Sequence, residues 1–138
     1  MSVEKCTFCR IISGLEPANI AYQDSEIAIF SNIHPAATHH FLAIPKTHID
    51  NINHLNISHI PLIERMAQKA TRVVEDSGGN IQDILLGFHK PPFNAIDHLH
   101  LHCISPMSEM SFLSRLIYRP NDLWFASVEQ IVRKLLQM

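Results

Sequence analysis

The sequence predicts a single α+β domain over residues 1–138, with a mostly antiparallel five-stranded sheet, one long helix and a C-terminal helix. Three observations support this fold class. Short apolar segments bounded by turn residues are typical of strands. Two longer segments repeat their apolar residues with the helical period. The order along the chain is a hairpin, a strand, a helix, a second pair of strands and a helix, which favours an antiparallel sheet.

Five segments have the pattern of strands. The first two, "NIAYQD" and "EIAIFSN", predict a hairpin with a tight turn at Asp24–Ser25. "HHFLAIPK", residues 39–46, is almost continuously apolar, which indicates burial on both faces. Pro45 should end this strand, because proline cannot donate to a strand ladder. "DILLGFH", residues 83–89, and "HLHLHCIS", residues 98–105, are the fourth and fifth strands.

Two segments have the pattern of helices. The longer one covers residues 58–77 and ends at Gly78-Gly79, a pair that suits a helix C-terminus. The apolar residues that share one of its faces are Ile63, Met66, Ala67, Ala70, Val73 and Val74. The second covers residues 128–136, and Ser127 before it has the spacing of a capping box.

The composition excludes several classes of protein. Hydrophobic residues make up 46% of the chain, enough for a core, and the net charge of −2 gives no broad basic surface for nucleic acid or an anionic membrane. The apolar runs are far shorter than a bilayer span, and "MSVEKCTFCR" has no apolar signal region. We therefore expect an intracellular protein of the cytoplasm or nucleus. The ten histidines are the one unusual feature.

Three of these histidines alternate along "DHLHLHCIS". Side chains alternate faces along a strand, so His98, His100 and His102 should share one face while the residues between them face the core. A face that is merely exposed to solvent could equally well carry Asp, Lys, Thr or Ser. Three histidines on one face therefore indicate a functional site. One metal ion held by all three is disfavoured, because the outer two lie about 13 Å apart on a strand that rises roughly 3.3 Å per residue. The middle histidine is therefore the best placed for chemistry on a bound substrate.

"HLHLHCI" resembles the histidine triad motif, in which histidines alternate with apolar residues. "CTFCRIISGLEPA", "IFSNIHPAATHHFLAIPKTHI" and "GFHKPPFNAIDHLHLH" resemble other segments of histidine triad nucleotide-binding proteins, in the same order. The tail "FLSRLIYRPNDLWF" is similar to the adenosine phosphoramidase branch of that family. The resemblance implies the histidine triad fold, a homodimer, and hydrolysis of adenosine 5′-phosphoramidates and related aminoacyl- or acyl-adenylates to AMP.

The resemblance also implies a role for each histidine. His100 matches the nucleophile, which attacks the α-phosphorus and forms a covalent nucleotidyl-histidine that water then hydrolyses. A neutral imidazole can do this near pH 7 without further activation. His98 matches the residue whose backbone carbonyl orients the nucleophile. His102 matches the residue that donates to the phosphate oxygens, where charge spreads in the transition state.

Several positions near the triad depart from the best-known family members. Ala95 stands where a serine orients the phosphate or protonates the leaving group, and Gly87 aligns with an asparagine that holds the nucleotide. "HKPPFNA" replaces a glycine-rich phosphate loop and offers fewer N–H donors, because proline has none. His89 or Asn94 could supply the missing contacts. Activity is therefore expected, but slow.

The purine nucleotide is expected to contact a second set of residues. Asn32 takes the place of an aspartate that binds ribose, and it can still bond a hydroxyl without charge. Phe30, Ile33 and Leu42 are candidates for the apolar slot that holds the purine.

Cys6 and Cys9, in a short helical segment at residues 6–13, are compatible with two metal ligands, although this spacing alone is a weak signal. Two cysteines that only pack in the core would give the same pattern. A redox pair is less consistent, because no strand leads into a long helix here. The resemblance implies a structural zinc site completed by His48 and His98, with no cofactor in catalysis.

Other functions stay open at the level of sequence. "LGFHKPP" is also similar to the catalytic domain of aprataxin, which removes AMP from adenylated nucleic-acid ends, although the charge balance makes nucleic acid an improbable partner. A nucleotide-binding scaffold with weak activity is the alternative that Ala95 and Gly87 favour. Hydrolysis of dinucleoside polyphosphates is a weaker option.

Overall fold

The structure is a computed structural model that describes residues 5–138. Over this range the chain forms strands β1 Ile20–Gln23, β2 Ile27–Ser31, β3 His39–Pro45, β4 Leu85–His89, β5 Leu101–Ser105 and β6 Phe125–Ser127. Its helices are α1 Thr7–Ile12, α2 Ile60–Asp76, α3 Phe112–Ile117 and α4 Val128–Leu136. Short 3-10 turns lie at Ile52–His54, Ile57–His59 and Met107–Glu109. The fold class is α+β, as predicted.

The strands form one antiparallel sheet in the order β1-β2-β3-β5-β4-β6. Five of the six correspond to the predicted strands, so the predicted count was one too low. The sixth, β6, pairs with the outer edge of β4 and has only three residues. A segment this short carries no readable alternation, which is why the sequence did not reveal it.

The long helix begins slightly later than predicted. Asn56 caps the 3-10 turn before it, and α2 proper starts at Ile60 with proline in its first turn. The helix ends at Asp76, and Gly78 then takes a positive φ of 85°, a conformation that glycine adopts without a steric cost. The predicted capping box at Ser127 is present and begins α4.

The sheet has two differently used faces. On one face α2 and α4 pack on the main core, which includes Leu99, Leu101 and Cys103. On the other face α1 covers a smaller cluster of apolar residues from β2 and β3. The histidines of the triad lie on this second face, beside α1. Among residues 5–138, no helix is both long enough and apolar enough to cross a bilayer.

Gly87 lies at the centre of β4, and the Phe125 ring occupies the space that a side chain at position 87 would fill. A Cβ at this position would overlap the Phe125 ring and lie 2.6 Å from the carbonyl oxygen of Ala126. We expect Gly87→Ala to lower the free energy of unfolding by about 1–3 kcal/mol, the usual cost of overpacking. Chemical denaturation measures the effect. In a Phe125→Leu background the same substitution should cost less, and equal costs in both backgrounds would contradict the steric explanation.

Candidate active site

The triad segment joins the sheet only in its second half. β5 starts at Leu101, so the first three residues of the predicted strand precede it. Continuing the register of Ala43 with Leu101 would place Leu99 opposite Pro45, which has no N–H to donate. The Pro45 carbonyl accepts from the His98 ring, and the Leu99 N–H donates to the carbonyl of Ile49, at 2.6 Å. The alternation of faces nevertheless holds, because the side chains between the histidines lie in the main core.

His100 is buried and held in one tautomer. Its Nδ1 lies 2.7 Å from the backbone carbonyl oxygen of His98. A carbonyl can only accept, so Nδ1 carries the proton and Nε2 keeps its lone pair. The Phe8 ring packs edge-on against the imidazole, with 5.1 Å between centroids. Burial lowers the pKa of His100, which opposes protonation of Nε2. This is the state that a nucleophilic imidazole requires.

His102 is linked to His40, a histidine of the neighbouring strand. The backbone N–H of Ala36 donates to His40 Nδ1 at 2.9 Å, so this nitrogen must be an acceptor. In the neutral ring the proton therefore lies on Nε2, which is 3.0 Å from His102 Nδ1. The Asn32 amide nitrogen lies 3.2 Å from the same Nε2, but two N–H groups cannot donate to each other. His40 therefore donates to His102.

The same argument extends to His89. Because His102 Nδ1 accepts, the neutral ring carries its proton on Nε2, which lies 3.3 Å from His89 Nδ1. His89 Nε2 then donates to the carbonyl oxygen of Ile117, at 3.2 Å. The result is a chain of hydrogen bonds that runs in one direction from Ala36 to Ile117, and every ring in it is neutral.

The surroundings of these rings favour the neutral state. Burial, and after it the nearby His89, lowers the pKa of His40 to about 4. The pKa of His102 is well below its ordinary value, first because of burial and then because of the neighbouring histidines. Burial also lowers the pKa of His89, although its bond to the Ile117 carbonyl opposes this. A second proton on any ring would turn an acceptor into a donor that faces another donor.

The free energy of unfolding is expected to fall as the pH drops from about 6.5 to about 4. His40 is neutral in the fold down to about pH 4, whereas in the unfolded chain it takes up a proton near its ordinary pKa of 6.5. Within this window protons bind to the unfolded chain and favour unfolding; above it both states are neutral and the effect disappears. Chemical denaturation across this range measures the slope. His40→Gln should flatten the slope, the exposed His54→Ala should keep it, and equal slopes in all three proteins would contradict the assignment.

Cys6, Cys9, His48 and His98 converge on one point. Their four ligand atoms all lie within 4.8 Å of one another. Cys6 is the N-cap of α1 and Cys9 lies in its first turn, so the helix start places both sulfurs on one side. The Cys6 Sγ to His98 Nδ1 and Cys9 Sγ to His48 Nδ1 distances are both 3.3 Å. The structure thus brings together all four predicted metal ligands.

This cluster fits a tetrahedral metal ion. Bonds of roughly 2.0–2.3 Å in tetrahedral geometry would separate ligand atoms by about 3.4–3.8 Å, close to the distances found here. His98 Nε2 donates to the Pro45 carbonyl at 2.8 Å, and His48 Nε2 lies 2.7 Å from Asp50 Oδ1. Both contacts favour a lone pair on Nδ1, the atom that faces the sulfurs. Burial, followed by the effect of Cys6, raises the pKa of the Cys9 thiol to about 11. Metal binding would therefore have to displace a proton from this thiol.

The residues predicted to contact the purine are dispersed. Phe30 and Leu42 are buried in the cluster beneath α1, where the Phe8 ring packs on Phe30 at 5.4 Å between centroids. Ile33 lies on the loop after β2 and is 86% exposed. Asn32 accepts a hydrogen bond from the backbone N–H of His34 and contacts His40. Of these four residues, Ile33 is thus the one with a large free apolar surface.

Three of the residues predicted near the phosphate, His89, Asn94 and His100, line a small cleft. Asn94 donates to Asp97 at 2.8 Å, so its amide is already engaged within the loop. Ala95 is exposed and offers no polar side-chain atom. Gly87 is buried under the Phe125 ring and does not line the cleft.

Sequence reasoning missed two residues of the site. One is His40, to which the sequence assigned no role; it is 3% exposed and bonds to His102. The sequence spacing contained no signal for this contact, which depends on the register between β3 and β5. The other is Tyr118, whose ring packs on both His40 and His102.

Comparison with known proteins gives concordant results. A family model described as "Scavenger mRNA decapping enzyme C-term binding" matches residues 5–118. A Xenopus tropicalis protein named adenosine 5′-monophosphoramidase HINT3 is 39% identical over 132 residues, which cover 94% of this chain and 86% of that protein. An Arabidopsis thaliana protein, named bifunctional adenosine 5′-phosphosulfate phosphorylase/adenylylsulfatase HINT4, is 35% identical over 74% of this chain and 70% of its own length.

Among solved structures, a HIT family hydrolase from Clostridium thermocellum superposes with a TM-score of 0.69 and 32% identity, covering 75% of this chain and 91% of that chain. A HIT family hydrolase from Legionella pneumophila gives the same TM-score with 31% identity. The resemblance found in the sequence is thereby confirmed. A family match across most of the chain, together with relatives of similar length at this level of identity, establishes that the chain belongs to the histidine triad family.

Proposed function

We propose that this protein hydrolyses adenosine 5′-phosphoramidates, and related aminoacyl- or acyl-adenylates, to AMP. The observation that carries the proposal is the 2.7 Å contact between His100 Nδ1 and the His98 carbonyl, which leaves Nε2 of a buried, neutral imidazole free to attack. The name of the Xenopus tropicalis relative, adenosine 5′-monophosphoramidase HINT3, supports the substrate class.

In the first step His100 Nε2 attacks the α-phosphorus and the P–N bond breaks. The amine departs with a proton taken from solvent, and the nucleotide remains bound through a new P–Nε2 bond. His102 is the residue that we assign to the phosphate oxygens. Its Nε2 proton now faces His89, so a bound phosphate must share or replace that contact. No charged side chain is needed for this donation, because a neutral imidazole N–H can stabilise developing negative charge.

In the second step water attacks the same phosphorus. The P–Nε2 bond breaks, AMP is released, and a proton leaves to solvent so that His100 returns to its neutral state. The His98 carbonyl holds the same tautomer throughout, since it accepts the Nδ1 proton in both steps. Ala95 has no hydroxyl, and Asn94 is engaged with Asp97, so protonation of the leaving group has no dedicated donor in the loop. This is the physical reason for expecting slow turnover.

The nucleotide would lie over the second face of the sheet. We assign Ile33 to the base, since it is the exposed apolar residue of the predicted slot, with Phe30 and Leu42 supporting it from below. Asn32 would bond a ribose hydroxyl. We place His89, Asn94, Ala95 and Gly87 on the phosphate side by the same sequence match. The His89 ring contacts His102, and Gly87 pairs with His102 through the backbone.

Release of AMP from a fluorogenic adenosine phosphoramidate tests the function. Turnover should be measurable, and rapid quenching followed by mass spectrometry should find an adenylyl group on His100. A guanosine analogue run in parallel reports the base preference. Absence of turnover on both substrates, with AMP still bound, would replace the hydrolase with a nucleotide-binding protein.

A second candidate is removal of AMP from adenylated nucleic-acid ends. A Drosophila melanogaster aprataxin-like protein is 38% identical over 90 residues, although this region is only 13% of that protein. A 5′-adenylated oligonucleotide, compared with the phosphoramidate at equal concentration, separates the two activities. Faster reaction on the oligonucleotide would favour the second candidate.

We also propose that Cys6, Cys9, His48 and His98 hold zinc, since two thiolates and two imidazoles in tetrahedral spacing are a donor set that zinc prefers. Bound zinc would fill all four positions with protein ligands and so have a structural role. The residues themselves would anchor α1 to the triad segment through His98. The site leaves the catalytic steps to the histidines, and no further cofactor is proposed.

We propose that the protein works as a homodimer. α3 and the loop after it leave an unusual amount of apolar surface exposed: Phe112 is 87%, Leu113 64% and Leu123 68% exposed. A second copy that covered this surface would remove it from water. Light scattering should give twice the chain mass of 15.7 kDa, and Leu113→Glu should lower it. A monomer at all concentrations would contradict the proposal.

We assign the protein to the cytoplasm and nucleus. Within residues 5–138, Cys6, Cys9 and Cys103 form no disulfide, and a reducing compartment keeps cysteines unpaired. Imaging of the tagged chain in cells tests the assignment, and recovery of the protein from the medium would contradict it.

A further inference from the structure

The segment from Met107 to Trp124, which we call the strap, crosses the sheet beside the histidines. Its own hydrogen bonds hold it in shape: Ser111 caps α3, and the Arg115 side chain donates to the carbonyls of Ser108 and Met110. The Trp124 indole N–H donates to the carbonyl of Leu116 at 3.0 Å. The end of α3 is therefore fixed with respect to the sheet.

Tyr118 follows α3 and packs directly on three histidines. Its ring centroid lies 5.1 Å from that of His102, 5.2 Å from His89 and 5.4 Å from His40. Phe125 closes the same cluster from β6, 5.8 Å from the Tyr118 ring. The preceding residue, Ile117, supplies the carbonyl that accepts from His89. Two successive residues of the strap thus contact this chain of histidines, Ile117 at one end and Tyr118 along its side.

We propose that Tyr118 is a positioning residue: its ring covers the chain of His40, His102 and His89 and keeps the three rings in a single hydrogen-bonding order. The inference rests on the proposed function, because that function assigns the phosphate oxygens to His102. Tyr118 touches no reacting atom in this scheme; it acts through His102.

The single direction of this hydrogen-bond chain explains why the Tyr118 ring must keep water away from it. Each neutral ring has one donor and one acceptor nitrogen, so the order set by the Ala36 N–H at one end and the Ile117 carbonyl at the other leaves a single arrangement. Water at any link could donate or accept, and it would allow either tautomer. The titratable side chains that contact the His102 ring are His40 from β3, His89 from β4, His100 from β5 and Tyr118 itself.

Removing the Tyr118 ring should change the tautomers and the titration of the histidines even without substrate. In Tyr118→Ala, solvent reaches His40 and His102, and burial no longer lowers their pKa to the same extent. Nitrogen-15 NMR of the histidine rings reports both tautomer and titration. We expect one tautomer per ring in the wild type, mixed tautomers in Tyr118→Ala, and titration of His40 moved upward from about 4. Tyr118→Phe keeps the ring and should behave as the wild type.

The same substitution should also change the kinetics of the proposed reaction. We expect kcat of Tyr118→Ala to fall roughly tenfold or more, with KM changed less, because the phosphate contact is misplaced and not deleted. Tyr22→Ala is the matched control, since it removes a half-buried tyrosine ring that packs on the main core, on the opposite face of the sheet from the histidines. If Tyr118→Ala does not fold, the same measurements are made on Tyr118→Leu, for which smaller shifts of the same sign are expected.

Wild-type tautomers and titration in a folded Tyr118→Ala or Tyr118→Leu would overturn the inference, whatever the kinetics. A wild-type protein that shows no turnover would instead remove the proposed function, while the NMR comparison would still decide whether Tyr118 orders the histidines. The two failures are therefore distinguishable.

Discussion

His100→Asn is expected to lose phosphoramidate turnover by on the order of 10³-fold or more, the range found when a catalytic nucleophile is removed. Asparagine can place an N–H where His100 Nδ1 now donates to the His98 carbonyl, so the local backbone contact can be retained. It has no nitrogen lone pair in the position of Nε2. The change therefore removes the attacking atom with little effect on the fold. Initial rates on the fluorogenic substrate and the amount of trapped adenylyl-enzyme measure the loss.

The control for this variant is another histidine. His54 is exposed and bonds only to Asn51 beside it, so His54→Ala should keep full turnover. AMP binding by calorimetry should remain measurable in His100→Asn. Turnover close to the wild-type rate in that variant would show that a different group attacks phosphorus.

Cys9→Ala is expected to remove the bound metal and to destabilise the fold on the order of several kcal/mol. The cluster joins α1 to the triad segment and to the loop after β3, and a structural metal contributes its binding free energy to folding. Metal analysis of the purified wild type should give one zinc per chain. Thermal unfolding before and after a strong chelator should show a lower Tm without the metal.

Cys103→Ala is the matched comparison for this prediction. Cys103 is buried like Cys9 but belongs to the main core on the opposite face of the sheet. It should keep the zinc and lose only the small stabilisation of a buried thiol. A wild-type protein with no metal, or a Cys9→Ala variant as stable as the wild type, would reduce the cluster to two packed cysteines and two histidines.

The metal cluster should also influence His100. His98 contributes its ring to the cluster and its backbone carbonyl to His100 Nδ1, so displacement of the ring would move the acceptor that sets the tautomer. Groups that hydrogen-bond to a metal-binding residue usually affect metal affinity and activity together.

The alternation of side chains along a strand predicted the face on which each triad residue lies, because this alternation depends only on local backbone geometry. It could not predict where β5 begins, because that depends on Pro45 in another strand. The four proposed metal ligands came from the family resemblance, and their convergence depends on α1 folding onto the second face. Helix periodicity and the capping box were readable for the same local reason.

The contacts that the sequence could not predict are all long-range. Burial of Phe30 and Leu42 beneath α1 results from the Phe8 ring, which no spacing rule connects to them. The link from His40 to His102 depends on the pairing of β3 with β5. Tyr118 reaches both only because the strap folds back, and α3 within it is too short to show a periodic pattern.

The shared volume of Gly87 and Phe125 couples two positions that are far apart in the sequence. A side chain at position 87 and the ring at position 125 compete for the same space, so a larger residue at 87 requires a smaller one at 125. Changing either position alone overpacks the sheet or leaves a cavity, and both lower the free energy of unfolding. Phe125 also packs against His89 at 5.0 Å, so this coupling extends to the histidines of the candidate site.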